Sequence, residues 1–338
     1  MIAVTCDNVQ GGDMVRALLK HDHLVYASGL FRATTERKFS VPEESGSQSN
    51  VQTCVYVFQR EYAIVNPERV KIIGTDEATT CVGIVIRNSR SGMTSCAHLD
   101  TPDVVDIGLS QMLSLVSDSD DNAILDVHLV GAFDDSAPQG NDDDGSELYS
   151  EMDGYSFPLC IKIVEKLAES KLKFQIQNFQ VLKHNTRWDS EGNAYPIFHG
   201  LLVETSSGSV VPANFDRSTR CPDEIIRRIR LGASFENPIL AGRLLDTYET
   251  QADRFVIKPF SWSMRQVHIA SVMRHRSDLE ILLTTSTSPA AEVPDFVDNQ
   301  KRIWEYLIQH PDWKEAFPSK APRVFKRTGG TNWEMSSE

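Results

Sequence analysis

The chain reads as an α+β protein, and three observations lead there. Short runs rich in β-branched and aromatic residues recur along it, proline followed by acidic residues opens two amphipathic segments, and the two kinds of element lack the strict alternation of a doubly wound parallel sheet.

Taken in order, residues 36–50 (ERKFSVPEESGSQSN) are polar and turn-rich and give way to VQTCVYVFQR, which reads as a strand. A second short strand is expected over Val70 to Gly74. CVGIVIRN, the turn-forming NSRSG and MTSCAHLD then predict a hairpin. Further strands are expected at Ile124 to Ala132, Phe174 to Leu182, Phe198 to Glu204 and Phe255 to Ile257. Leu159, Ile163 and Leu167 recur at helical spacing. Pro222 with Asp223 and Glu224 opens a helix carrying Ile225, Ile226 and Ile229, with Gly232 placed to end it. Pro294 opens another, expected to bury Phe296, Trp304 and Leu307.

The chain has 338 residues, 41% of them hydrophobic, which suits a sizeable core, and we read a single catalytic domain over 1–327. Residues 328–338 read as a polar tail that frays. The stretch DDSAPQGNDDDGSELYSEMD, 134–153, reads as a solvated acidic insertion rather than a cation site. No apolar run suggests a leader or a membrane span, so a soluble intracellular protein is expected, and we expect a monomer. Six cysteines without CxxC pairs fit reduced thiols better than disulfides or structural zinc. A formal charge of −13 argues against nucleic acid as a partner.

If the hairpin closes symmetrically about Ser89 and Arg90, Cys81 faces His98. Directly opposed residues on antiparallel strands have Cβ atoms about 4.5–5.5 Å apart, close enough for an imidazole to take a thiol proton. A protonated imidazole beside the sulfur lowers its pKa and favours thiolate at rest. Thr75, Asp76 and Asp100 all lie near enough in sequence to orient the imidazole. A buried cysteine is otherwise a small core hydrophobe. His21, His23, His128 and His199 read as surface or core residues, and His268 as either core or close to a pocket.

The segment GTDEATTC, Gly74 to Cys81, followed by VGIVIRNSRSGMTSCAHLD, resembles the protein N-terminal asparagine amidohydrolase family. Weaker similarity runs through VYVFQRE, LDVHLVGAFDD, YPIFHGLLVE, KPFSW and LTTSTSPAAEVPDFV; the first forty residues do not align. More distantly, the chain is similar to chemotaxis-receptor glutamine deamidases and cytotoxic necrotizing factor-type deamidases. The resemblance implies a layered sandwich of mostly antiparallel sheets flanked by helices, with the Cys–His pair on a central hairpin. It implies Cys81 as nucleophile, His98 as acid and base, and Thr75 as the third group. The reaction implied is deamidation of an N-terminal asparagine through a thioester, with neither cofactor nor metal. The product would feed an N-degron pathway in the cytoplasm or nucleus. Recognition of a free α-ammonium calls for a carboxylate: Asp76 and Asp100 are favoured, with Glu77 and Asp134 as further candidates. Phe260, Ser261 and Trp262 are candidates for the pocket wall. The competing readings are a glutamine deamidase or transglutaminase, and a non-catalytic module that binds N-termini.

Overall fold

A computed structural model describes residues 11–40, 52–117, 123–136 and 154–336. The chain opens with α1 (Gly11–Lys20), α2 (Asp22–Ala33) and β1 (Arg37–Phe39). Then come β2 (Cys54–Tyr56), β3 (Glu61–Val65), β4 (Ile72–Thr75), β5 (Val82–Asn88), β6 (Thr94–Leu99), α3 (Val105–Leu113) and β7 (Ile124–Gly131). The middle of the chain supplies α4 (Ser156–Glu169), β8 (Lys173–Gln180), β9 (Thr186–Trp188), β10 (Ala194–Pro196), β11 (Leu201–Glu204), β12 (Ser209–Phe215) and α5 (Glu224–Glu236). Last are β13 (Leu245–Asp246), β14 (Tyr248–Glu249), β15 (Arg254–Ile257), α6 (Met264–Met273), α7 (Asp278–Thr285), α8 (Phe296–Gln309), β16 (Arg323–Gly329) and β17 (Asn332–Met335). The class is α+β, as expected.

A six-stranded sheet in the order β13-β3-β6-β5-β7-β8 forms the middle layer, antiparallel except at its two outer pairs. Alternation along β5 divides the interior. Val82, Ile84 and Ile86 point into a core built with Val15, Leu109 and Ile163 of α1, α3 and α4. Val85, with Cys96 of β6, points the other way, into a second core with Ile73 and Leu201. Those two residues belong to a five-stranded sheet, β1-β12-β11-β4-β2, stacked on the first. Helices α5, α6 and α8 contribute Ile229, Val267 and Trp304 to the same second core.

The β5–β6 hairpin holds the two central positions of the six-stranded sheet, but its register differs from the expected one. His98 faces Gly83, and Val82 faces Leu99. The loop explains the difference: Asn88 Oδ1 accepts from the N–H groups of Arg90 and Ser91, and Gly92 takes φ +74°, so the turn closes later than symmetry about Ser89 and Arg90 requires. An even displacement leaves every side chain on its original face. Cys81, immediately before β5, therefore stands diagonal to His98 rather than opposite it.

Three smaller expectations are also corrected. Gly232 lies inside α5, which continues to Glu236, and Phe296 is half-buried where Trp304 and Leu307 of the same helix are buried. Polar composition after Arg327 does not leave that segment unpaired. β16 and β17 form a hairpin in a four-stranded sheet, stapled where Arg327 Nη1 donates to Cys54 O and Gly330 O. The acidic stretch beyond Ser136 lies outside the described residues.

Candidate active site

Between α5, α6, α8 and the turn leading into β5 lies a cavity of about 590 Å³, a size that suits a small ligand or a side chain of a larger one. Phe58, Phe235, Phe296 and Ile303 give it apolar walls, and Thr79, Thr80 and Cys81 form a polar patch. Cys81 is buried, with 8% of its surface exposed, and that remainder opens on the cavity.

The turn from Asp76 to Cys81 is held from several sides. Ala132 N donates to Cys81 O at 2.7 Å and Phe133 N to Thr79 O at 3.1 Å, extending the β5–β7 pairing beyond the strand end. Gly131, at φ +122°, allows this approach, since a Cβ there would stand 2.4 Å from Cys81 O. Glu77 takes φ +63°, uncommon for a residue with a side chain, and its carboxylate is clamped by Arg228 at 2.9 and 3.0 Å, by Arg220, and by Asn299.

His98, 1% exposed, lies on β6, and Thr75 on β4 of the other sheet meets it: Thr75 Oγ1 and His98 Nδ1 are 2.9 Å apart. Gly83 makes room for this contact, because a Cβ at that position would lie 3.1 Å from Thr75 Cγ2. Among the described residues His98 Nε2 has no hydrogen-bond partner although it is buried. A buried ring nitrogen without a partner, on a ring whose other nitrogen is fixed, is free to take or give a proton. Diagonal cross-strand neighbours lie about 7–8 Å apart at Cα, within reach of long side chains, and Cys81 holds that position.

The resting charge state departs from expectation. Burial, with the Asp100 and Glu292 carboxylates adding to it, pushes the Cys81 thiol well up, and burial pulls His98 down to about 4. Burial thus disfavours thiolate and imidazolium alike, because each ion is withdrawn from water.

Asp76 does not reach the cavity. Tyr56 Oη donates to it at 2.6 Å, Phe215 N at 2.7 Å and Arg220 Nη2 at 3.0 Å, so its acceptor sites serve the fold and anchor the turn. Asp100 does line the cavity, but Arg60 Nε donates to both its oxygens at 3.1 and 3.0 Å, and that guanidinium lies over Phe235. Burial nevertheless raises Asp100, with Arg60 opposing. Glu77 lines the cavity too; burial alone would raise it, but Arg228 and Arg220 outweigh that and hold it below the ordinary glutamate range. Asp134 is half-buried and takes the Ser136 hydroxyl at 2.6 Å.

The Phe260–Trp262 triplet is not a pocket wall. Phe260 packs edge-on to Phe317 with centroids 5.2 Å apart, Trp262 Nε1 donates to His310 O at 3.0 Å, and Ser261 is exposed. Their apolar bulk is spent between α6, α8 and the segment after it. His21 caps α2 through the N–H of His23, His199 Nε2 lies 3.1 Å from Ala291 O, and His268 is exposed on α6, away from the cavity. None of residues 11–40 lines the cavity.

Two sets of residues escape the sequence reading. The first is the arginines, Arg60, Arg220 and Arg228, which come from distant segments and meet their acids only in the fold. The second is Glu292, which lines the cavity between α7 and α8. It stands inside LTTSTSPAAEVPDFV, where it is the sole acid between Leu283 and Val293, a hint that composition alone does not convert into a role.

A thiol opening on a cavity, with an imidazole diagonal to it whose far nitrogen is fixed by a threonine, has the parts of a site for nucleophilic attack on an amide carbon. The family model for protein N-terminal asparagine amidohydrolase matches residues 44–335, and the chain belongs to that family. Over 96% of its length it is 48% identical to the protein N-terminal asparagine amidohydrolase of Arabidopsis thaliana, covering 93% of that relative. The proteins of the same name from Sus scrofa and Homo sapiens are 29% and 28% identical, each over 96% of this chain and 94% of the relative. The family model begins beyond the forty residues that the sequence reading leaves unaligned.

Proposed function

We propose that this chain hydrolyses the side-chain amide of an asparagine at the N-terminus of a protein or peptide, giving aspartate and ammonia. The observation that carries the mechanism is His98, bonded to Thr75 at Nδ1, without a partner at Nε2 among the described residues, and diagonal across the hairpin from Cys81. The Cys81 thiol gives its proton to His98 Nε2 as sulfur bonds to the amide carbon, and backbone N–H groups of the Thr79–Cys81 turn receive the developing oxyanion. His98 passes the proton to the departing nitrogen as the C–N bond breaks, leaving a thioester and ammonia. It then takes a proton from water, which attacks the thioester, and returns it to the sulfur. Because burial disfavours both ions, this proton transfer is part of the attack itself.

The product, an N-terminal aspartate, is an acceptor for arginylation, which places the reaction upstream in an N-degron pathway of the cytoplasm or nucleus. The test uses matched peptides beginning with Asn or Gln, N-acetylated versions and peptides with internal Asn, followed by deamidation mass shift and ammonia release. Conversion confined to the free N-terminal Asn peptide, falling at least about 10³-fold in Cys81→Ala, is the expected result. Conversion of acetylated or internal-residue peptides would point to a glutamine deamidase or transglutaminase, and equal activity in the variant would remove Cys81 from the mechanism.

A further inference from the structure

Glu77, Asp100 and Glu292 bring carboxyl groups to the cavity wall. The first two face arginines. Glu292 accepts a hydrogen bond from the Ser286 hydroxyl, and among the described residues no lysine, arginine or histidine forms an ion pair with it. A half-buried carboxylate with no cation is costly unless the cation arrives with a ligand. Burial first, and the nearby Glu77 charge second, push it up to about 7, opposed by the Ser286 hydroxyl, and its own charge acts on the Cys81 thiol.

In asparagine a short covalent path joins the α-nitrogen to the side-chain carbonyl carbon. A group that reads the ammonium must therefore share the end of the cavity that holds the nucleophile. Asp76 is walled off and saturated, Asp100 is satisfied by Arg60, and Glu77 is clamped by two guanidiniums. Resting on the function proposed above, we infer that Glu292 is the receptor for the substrate's α-ammonium group, and so the residue that restricts the reaction to chain termini. Ser286 orients the receiving carboxylate, and Ala291, the residue before it, is tied through its carbonyl to the His199 ring.

An ammonium docked on Glu292 cancels one of the two negative charges that disfavour the Cys81 thiolate. The substrate thus assists deprotonation of the sulfur that attacks it.

The experiment compares binding of an Asn-initiated peptide with that of its des-amino counterpart, the same peptide carrying a succinamoyl group at the terminus, in the full-length Cys81→Ala protein. Calorimetry is expected to show the amine-bearing peptide binding at least about tenfold more tightly, as for a charge-assisted hydrogen bond. Adding Glu292→Gln should abolish that preference by weakening the amine-bearing peptide alone. Glu292→Asp, which keeps the charge on a shorter stem, should restore part of it and gives a second reading if the amide variant folds poorly. An undiminished preference in Glu292→Gln overturns the inference, as does equal weakening of both peptides, the mark of a residue that shapes the pocket without reading the amine. Because binding is read without turnover, the result stands apart from the function assay: a Cys81-intact protein that deamidates no Asn peptide would overturn the reaction, whichever peptide the variant prefers.

Discussion

The two walls of the cavity use the same kind of group in opposite ways. On the side of the β4–β5 turn and β6, Glu77 and Asp100 in the wall and Asp76 behind it are bound to Arg228, Arg60 and Arg220, and each such pair is largely withdrawn from water. On the wall made by the α7–α8 connection, Glu292 keeps no cation among the described residues. Paired charges fix a backbone, since each bond to a carboxylate constrains the segment that carries it, and they have little left to offer a ligand. An unpaired charge adds no such constraint and keeps its affinity for what enters. Proximity in sequence to the nucleophile favours the first set as substrate ligands; the hydrogen bonds favour the second.

The two walls differ most visibly at Arg220. Its guanidinium, 3% exposed, serves Asp76, Glu77 and Asp295 together, so Arg220→Met leaves buried carboxylates without a partner. The expected cost is about 3–5 kcal/mol of folding stability, read from urea denaturation, with little discrimination lost between amine-bearing and des-amino peptides in whatever remains folded. Loss of that discrimination without loss of stability would show that the paired wall also reads substrate.

A smaller effect is expected at Thr75. Thr75→Val keeps the shape and removes the hydroxyl that fixes His98 Nδ1. Turnover should fall roughly 10- to 100-fold, as for partners that orient a functional imidazole, with the Michaelis constant nearly unchanged. A change confined to that constant would place Thr75 in binding instead.

The smallest effect is on the pH dependence of stability. Glu292 is raised in the folded protein from its ordinary 4.5 to about 7, so the folded state holds its proton more tightly than the unfolded chain does. Its contribution is fully present below pH 4.5 and is lost as pH rises through about 7. His98, lowered from 6.5 to about 4, has the opposite slope: its contribution is present above 6.5 and is lost as pH falls through about 4. Melting temperatures of Glu292→Gln and His98→Gln against wild type across pH 4–8 should diverge from it in opposite directions. Curves parallel to wild type would mean that neither group changes its pKa on folding.

Much of this site is legible before any coordinates. Cys81 and His98 fall on the two arms of one hairpin because alternation and turn chemistry are local properties, and an error of two residues in register leaves side chains on their faces. What resists reading is what depends on distant segments. Arg220 reaches Asp76 across 144 positions of chain, and no local pattern announces it. Phe260 and Trp262 look like a pocket wall because aromatic residues serve walls and cores equally well, and only packing against Phe317 decides which. The β16–β17 hairpin hides behind polar composition because its pairing partner, β15, lies 66 residues before β16. Glu292 is invisible for a different reason: its distinction is a missing partner, which a sequence does not display.

The threonine and the imidazole that it fixes come from different sheets, so the bond between them is a joint across the interior of the sandwich. Gly83 keeps the layers close here; a Cβ on it would stand 3.1 Å from Thr75 Cγ2 and 3.3 Å from Leu201 Cδ2, both of the facing sheet. Sliding one layer over the other by a fraction of a side chain would unseat the imidazole while leaving every strand ladder intact. Under the proposed mechanism catalytic rate gauges interlayer alignment, and on warming it should decline while the circular dichroism of the strands is still that of the native protein.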